Sequence, residues 1–121
     1  MNGFEVKRKD LEDISILYLH GFLDAHTAGE FEKSLQDLVD ESRFRIIVNL
    51  AELNYISSAG LGVFMSFIEE IRKNRGDIKL AELTDKVFRV FDLLGFPILY
   101  QIFKTETEAV QRYGDGVSAE S

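Results

Sequence analysis

The 121-residue sequence contains no cysteine. The chain therefore forms no disulfide framework and offers no thiolate ligands for a metal ion. No signal-peptide pattern opens it, and none of its apolar runs approaches the roughly 20 residues that a membrane-spanning helix needs. We expect a cytoplasmic protein that does not insert into a membrane.

Positive charge is also scarce: 14 Lys and Arg residues stand against 21 Asp and Glu residues, which makes the formal net charge −7. Such a chain repels a phosphate backbone unless its few cations form a concentrated patch, and the sequence shows none. We expect no direct binding to nucleic acid. An acidic surface serves either solubility or a basic partner, and both remain open. No metal-ligand cluster and no cofactor motif is visible.

What the sequence does hold is a hydrophobic fraction of 45% that includes ten phenylalanines. This is enough for one core, and we predict a single domain over residues 1–114. Two short strands at 4–7 and 14–20 are predicted to pair as a hairpin. The near-continuous apolar run at 45–50 indicates a central strand. Two further strands are predicted at 78–83 and 99–103.

Four helices are predicted between and after these strands. A capping box of Thr27 and Glu30 favours the first helix start, and a second box of Thr105 and Glu108 favours the fourth, which should end at Gly114. Thr84 is predicted to cap the third helix. Residues 115–121 have the composition of a disordered tail. The residues predicted to face the core are Phe31, Leu35, Leu38 and Val39 in the first helix, Leu61, Phe64, Met65, Ile68 and Ile71 in the second, and Val87, Phe88, Val90, Phe91 and Leu94 in the third.

Strands that alternate with helices after an opening hairpin predict an α/β fold. Crossover helices return the chain in the same direction, so the sheet should be mixed and mostly parallel. We expect about five strands and about four helices.

Two adjacent serines, Ser57 and Ser58, lie where a strand gives way to a helix. The free N–H groups and the positive end of the helix dipole should surround them, which suits a phosphoryl group. Gly60 and Gly62 leave room for a partner to approach closely. A serine at this place is also the ordinary N-cap of a helix, so spacing alone does not decide between the two roles.

Several motifs in register resemble the STAS domain family over most of the chain, from about residue 4 to about residue 114. These are residues 21–24 (GFLD), 47–50 (IVNL), 55–62 (YISSAGLG) and 87–96 (VFRVFDLLGF). The resemblance is nearest to the free-standing anti-sigma factor antagonists of that family. It implies a STAS-like sandwich.

The resemblance also implies a function, which is that of a phosphorylation-controlled binding protein and not of an enzyme. In this family the unmodified antagonist sequesters an anti-sigma factor that is also a serine kinase, and so frees a sigma factor for transcription. Phosphorylation ends the binding, and a metal-dependent serine phosphatase restores it. The family's acceptor position matches Ser58. Ser57 stands where the family usually has aspartate, which makes Ser57 the alternative acceptor.

Helical spacing places part of the second helix on a flank away from its apolar stripe, and we predict that this flank binds the partner. The flank comprises Ser58, Gly62, Ser66 and Glu69, with Val63 pointing further outward. The predicted partner-binding residues are Asp24, Ser57, Ser58, Ala59, Gly60, Gly62, Val63 and Ser66. Asp24 matches a family aspartate near the acceptor, and its other possible role is that of a helix cap or loop brace.

Two other functions are weighed against this one. A small serine hydrolase would use Ser58, His26 and Asp24, but residues 56–60 lack the first glycine of the Gly-x-Ser-x-Gly motif. A STAS subunit that is never phosphorylated would instead scaffold a transport, secretion or chemosensory complex. Phosphorylation by a kinase would support the binding switch, whereas turnover of an activated ester that needs Ser58 would support the hydrolase.

Overall fold

The computed structural model describes residues 3–120, with side chains through Gly114. Its α/β architecture contains five strands and five helices in the described residues. In chain order the elements are β1 (Phe4–Leu11), β2 (Ile14–Leu23), α1 (Ala28–Asp40), β3 (Arg45–Ile56), α2 (Ser58–Lys73), β4 (Asp77–Ala81), α3 (Asp85–Leu93), α4 (Phe96–Leu99), β5 (Ile102–Phe103) and α5 (Glu106–Glu120).

The sheet follows the order of the chain, β1-β2-β3-β4-β5. The strands β1 and β2 form the predicted antiparallel hairpin. Each later strand pairs with its predecessor in parallel. The predicted mixed, mostly parallel sheet is therefore confirmed, with β3 at its centre.

Helices cover both faces of this sheet. Alternate residues of β3 separate the two cores: Ile46 and Val48 pack with the buried side chains of α1, α2 and α3, whereas Ile47 packs with Ala109 and Tyr113 of α5. This alternation follows from the pleat of a strand, whose successive side chains point to opposite faces. The larger core lies under α1 to α4, and the smaller one under α5.

Several boundaries differ from the prediction. The central strand β3 runs to Ile56, well past the predicted end at residue 50, and β5 has only two residues. The four-residue helix α4 was not predicted. Gly95 ends α3 in a left-handed conformation with φ of 78°, and Pro97 lies in the first turn of α4, where proline is well tolerated.

Two of the three predicted helix caps are confirmed. Thr84 accepts a hydrogen bond from the Val87 N–H at 3.2 Å. Thr105 and Glu108 form the predicted reciprocal capping box. The box at Thr27 is wrong, because the Thr27 hydroxyl makes no cap hydrogen bond to the first turn of α1. It donates to the Phe22 carbonyl oxygen at 2.8 Å instead.

Three predicted core residues are exposed. Met65 of α2 is 56% exposed, Phe88 of α3 is 38% exposed, and Leu94, the C-cap residue of α3, is 55% exposed. In α2 the neighbours Val63 and Phe67 are buried in the place of Met65. The apolar spacing in the sequence therefore correctly predicted that α2 packs on the core. The buried face of the helix is rotated by part of a turn from the predicted one.

The C-terminal helix α5 extends beyond the predicted end at Gly114. The predicted disordered tail, 115–121, falls where no side chains are described, and it stays a prediction. Among the residues that the structure describes, no helix combines the length and the apolar character needed to cross a membrane.

Candidate functional site

The parallel strands β2 and β3 end side by side, and the candidate site lies at that edge of the sheet. Leu23 pairs with Ile56, and the Ser57 N–H donates to the Leu23 carbonyl oxygen at 2.9 Å. Asp24 follows Leu23, so it lies next to the Ser57–Ser58 segment. The fold thus brings together two motifs that are more than thirty positions apart in the sequence.

The two adjacent serines have different environments. Ser58 is the first residue of α2, and its side chain is exposed. Ser57 is the N-cap residue, with φ of −104° and ψ of 175°, and its hydroxyl oxygen is buried without a hydrogen-bond partner in the described part of the chain. An enzyme that modifies a hydroxyl must reach the oxygen atom. As folded, only Ser58 presents one to solvent.

The first turn of α2 offers backbone donors next to Ser58. The first helical hydrogen bond runs from the Leu61 N–H to the Ser57 carbonyl oxygen at 3.1 Å. The N–H groups of Ser58, Ala59 and Gly60 come before it and have no partner within the helix. The helix dipole adds partial positive charge at the same place, and no acidic side chain lies in the first turn to neutralise it. A negatively charged group on Ser58 would therefore be tolerated.

Asp24 braces the loop that leads into α1. Its carboxylate accepts the backbone N–H groups of His26 at 2.9 Å and Thr27 at 3.2 Å. Thr27 is buried, and its hydroxyl accepts the Asp24 N–H at 2.9 Å. Of the two roles that the sequence left open, these bonds match the loop brace. The loop is thus held by hydrogen bonds among its own residues, directly after the end of β2 that accepts the Ser57 N–H.

A row of exposed residues runs along α2 from Ser58, and we call it the Ser58 face. Its members are Ser58, Gly62, Met65, Ser66 and Glu69. Their spacing of three or four positions places them on one side of a helix. Met65 gives this otherwise polar face a large apolar side chain, which is a residue type enriched in protein interfaces.

Five of the eight predicted partner-binding residues are less accessible than expected. Val63 was predicted to point outward, and this is wrong, because it is only 7% exposed and belongs to the main core. Gly60 is buried as well, and three more are half-buried, namely Asp24, Ser57 and Ala59. The exposed members of the predicted set are Ser58, Gly62 and Ser66.

Gly60 and Gly62 therefore have different functions in the structure, and substitution by alanine should separate them. A Cβ atom at Gly60 would lie 2.6 Å from the Leu23 Cγ and 3.1 Å from the Ile56 Cγ1. We expect Gly60→Ala to lower the free energy of unfolding by about 1–3 kcal/mol through overpacking. At Gly62 nothing lies within 4 Å of the added atom, so Gly62→Ala should raise it by about 0.5–1 kcal/mol. Urea denaturation of the two variants measures both effects, and equal stabilities would contradict the packing described for Gly60.

An exposed aromatic pair was not predicted as part of the site. Phe22 and Tyr55 are paired across β2 and β3, with ring centroids 6.2 Å apart, and they are 50% and 44% exposed. Their neighbours Leu23 and Ile56 are buried in the main core, so the pair lies on the opposite face of the sheet. Successive residues of a strand point to opposite faces. The sequence could therefore have revealed the pair, because Phe22 and Tyr55 directly precede two residues expected in the core.

The residues proposed for a hydrolase do not form a chain of hydrogen bonds. Asp24 binds the backbone N–H of His26, and the hydrogen bond that links these two residues does not involve the imidazole ring. The His26 side chain is exposed. Over the part of the chain with described side chains, no group of three or more His, Cys, Asp or Glu residues could hold a metal ion.

Comparisons with known proteins agree with this geometry. The family model of the STAS domain matches residues 5–109. An anti-sigma-B factor antagonist of Listeria monocytogenes is 30% identical over 106 residues, which are 88% of this chain and 92% of the relative. Among solved structures, an anti-sigma factor antagonist from Mycobacterium paratuberculosis has a TM-score of 0.84 at 19% identity, with 92% of this chain and 94% of that one covered.

The fold is also similar to that of SpoIIAA, a Bacillus cell fate determinant and anti-sigma factor antagonist. Its unphosphorylated form has a TM-score of 0.78 at 22% identity, covering 93% of this chain and 96% of that one. Its phosphorylated form has a TM-score of 0.70 at the same identity, covering 91% and 98%. With the family model matched over most of its length, the chain belongs to the STAS domain family, as its motifs predicted.

Proposed function

We propose that this protein is an anti-sigma factor antagonist, a binding protein that sequesters an anti-sigma factor through the Ser58 face. Its relatives carry that name, including the Listeria monocytogenes protein. The partner is a serine kinase that phosphorylates Ser58, and a serine phosphatase reverses the modification. The cycle takes place in the cytoplasm, and its outcome is control of a sigma factor and hence of transcription.

The observation that carries this proposal is the exposure of Ser58 at the start of α2 beside a buried Ser57 oxygen. The sequence left both serines open as acceptors, and the difference in access favours Ser58. SpoIIAA, which shares the fold, exists in a phosphorylated and an unphosphorylated form.

The chemistry of the switch follows from the position of Ser58. A phosphate adds about −1.5 to −2 charges and three acceptor oxygens, and a helix N-terminus accommodates both. The fold of the antagonist itself therefore changes little. A partner packed on the Ser58 face, however, would have to desolvate the new anion. Phosphorylation thus ends binding by direct occlusion.

Substitution of each serine tests the acceptor. The purified chain is incubated with ATP and the anti-sigma factor kinase from the same genome, and its intact mass is recorded. The parent and Ser57→Ala should gain one phosphate, and Ser58→Ala should gain none. Ser58→Ala should still bind the kinase, because alanine adds no bulk and loses no hydrogen bond that the structure shows.

The other outcomes of this experiment each have a meaning. Phosphorylation of Ser58→Ala but not of Ser57→Ala would move the acceptor to Ser57. Tight binding without any phosphorylation would favour the non-phosphorylated scaffold of a larger complex. Hydrolysis of an activated ester that requires Ser58 would favour the serine hydrolase. The last two results would overturn the switch.

A further inference from the structure

A concavity rich in arginine lies at the opposite end of the sheet from Ser58. It has a volume of about 260 Å³ and is lined by Arg45, Arg75, Lys79 and Arg112, with Asp77 as its one carboxylate. Arg45 is the first residue of β3, whereas Ser58 follows its last residue, so the two regions are separated by roughly 35 Å of extended strand. We call this concavity the arginine pocket.

The fold assembles this cluster from four separate segments. The sequence, in which no basic patch was visible, therefore did not predict it. The cations come from the starts of β3 and β4, the end of α2 and the middle of α5. The chain has a net charge of −7, but four cations around one carboxylate make this region locally positive. These like charges repel one another, and a bound anion would reduce the repulsion.

The carboxylates nearby do not neutralise the pocket. Asp77 is shared between Arg72 at 3.1 Å and Lys79 at 3.3 Å. Arg45 makes a long ion pair of 3.5 Å with the exposed Asp13, and its guanidinium lies over the Tyr113 ring at 5.9 Å from the centroid. The guanidinium groups of Arg75 and Arg112 make no hydrogen bond or ion pair within the described part of the chain, although Arg112 stacks over the Phe103 ring.

Lys79 lies in the interior of the pocket. Its side chain is only 8% exposed, and its Nζ lies 3.3 Å from Asp77 and 2.6 Å from the Gln101 Oε1. Burial lowers the pKa of Lys79, and Arg112 and Arg72 lower it further, against the opposing effect of Asp77. An anion in the pocket would relieve this repulsion.

The backbone of Arg75 is strained in a way that bears on the pocket. Arg75 has φ of 67° directly after the end of α2, a position where glycine is favoured. A residue with a side chain costs about 1–2 kcal/mol in this left-handed conformation. Positive φ also occurs at Glu12, Ser42 and Glu82, and at Arg75 it means that glycine can replace the arginine without strain.

We propose that the arginine pocket binds a compact, multiply charged phosphate group, such as the pyrophosphate of a small molecule. Arginine presents a planar fork of donors that matches the oxygens of phosphate. The volume is below the 300–1,000 Å³ typical of sites for whole drug-sized ligands, and so it suits the charged group alone. An adjoining concavity of about 470 Å³ shares Arg45 and Arg75 and gives space for the rest of the ligand; its other lining residues are Asp13, Ser42, Phe44 and Asn74.

Inorganic pyrophosphate is the probe for the first test. Its dissociation constant is measured by isothermal titration at low ionic strength, and amide NMR shifts locate the site. The test variant is the double substitution Arg75→Gly and Arg112→Gln. Glycine relieves the positive φ at position 75, so this variant should melt at or above the parent temperature. We expect its pyrophosphate affinity to fall at least tenfold.

Arg89→Gln is the matched control, because Arg89 is an exposed arginine of α3 outside the pocket. It should change the affinity less than twofold, and so should Ser58→Ala, which makes the outcome independent of the phosphorylation switch. Equal losses in the Arg89 control would overturn the proposal. So would shifts that sodium chloride reproduces at the same ionic strength, or shifts that are scattered away from the pocket.

Discussion

Phe64→Ala is expected to lower the free energy of unfolding by about 3–5 kcal/mol, which is the range for truncation of a buried phenylalanine. Phe64 is fully buried in α2 and contacts four aromatic rings. The centroid distances are 4.9 Å to Phe31, 5.8 Å to Phe91, 6.1 Å to Tyr100 and 6.5 Å to Phe96. Its removal leaves a cavity between α1, α2, α3 and α4 that several rigid rings cannot fill. A domain of this size has only about 5–15 kcal/mol of stability, so the loss is a large fraction of the total.

Met65→Ala is the matched control in the same helix. The Met65 side chain is 56% exposed, and substitution of an exposed residue usually changes stability by less than about 0.5 kcal/mol. Urea denaturation with a common m-value measures both variants. The sequence stripe placed Phe64 and Met65 together in the core, so equal losses would support that interpretation and contradict the orientation of α2 in the structure.

The example of α2 shows what periodicity in a sequence can and cannot establish. Apolar spacing correctly predicted a helix that packs on the core through Leu61, Phe64 and Ile71. It could not decide between Met65 and the pair Val63 and Phe67, because all three are apolar and lie on either side of the stripe. The choice depends on neighbouring elements, which bury the side of Val63 and leave Met65 in solvent.

The site was predictable in position but not in detail. The motif at residues 55–62 correctly placed Ser57 and Ser58 at the junction of β3 and α2. The sequence could not show that only Ser58 is accessible, since burial of the Ser57 oxygen depends on how the end of β3 packs next to β2. The arginine pocket was invisible for a related reason, because its cations are far apart in the sequence and meet only in the fold.

The strand lengths depend on tertiary contacts in the same way. Side chains at 46–48 are apolar and buried on both faces of the sheet. Here β2 and β4 flank β3, and helices cover both faces. The second half of β3 pairs only with β2, and there Leu53 and Ile56 are buried, each after two exposed residues. The predicted strand ended at residue 50, before this more polar segment.

Ser58→Asp is expected to weaken binding of the unmodified antagonist to its anti-sigma partner by roughly a hundredfold, or about 2.7 kcal/mol. This result rests on the proposed switch. The carboxylate brings one negative charge to the exposed first residue of α2, and a partner that covers the Ser58 face must desolvate it. Isothermal titration with the kinase measures the loss. Ser42→Asp is the charge-matched control, since Ser42 is exposed after the far end of α1, and its affinity should stay within twofold of the parent.

The free Ser58→Asp variant should retain the fold of the parent. The helix dipole accommodates the charge, so its free energy of unfolding should stay within about 1 kcal/mol of the parent value. Amide NMR shifts should be confined to the first turns of α2, at residues 57–63, and to the neighbouring Asp24 loop. Shifts that reach α3 together with lost binding would mean that the charge acts through rearrangement of the domain. Direct occlusion at the Ser58 face would then be the wrong mechanism, because the partner would be sensing a changed fold and not the anion itself.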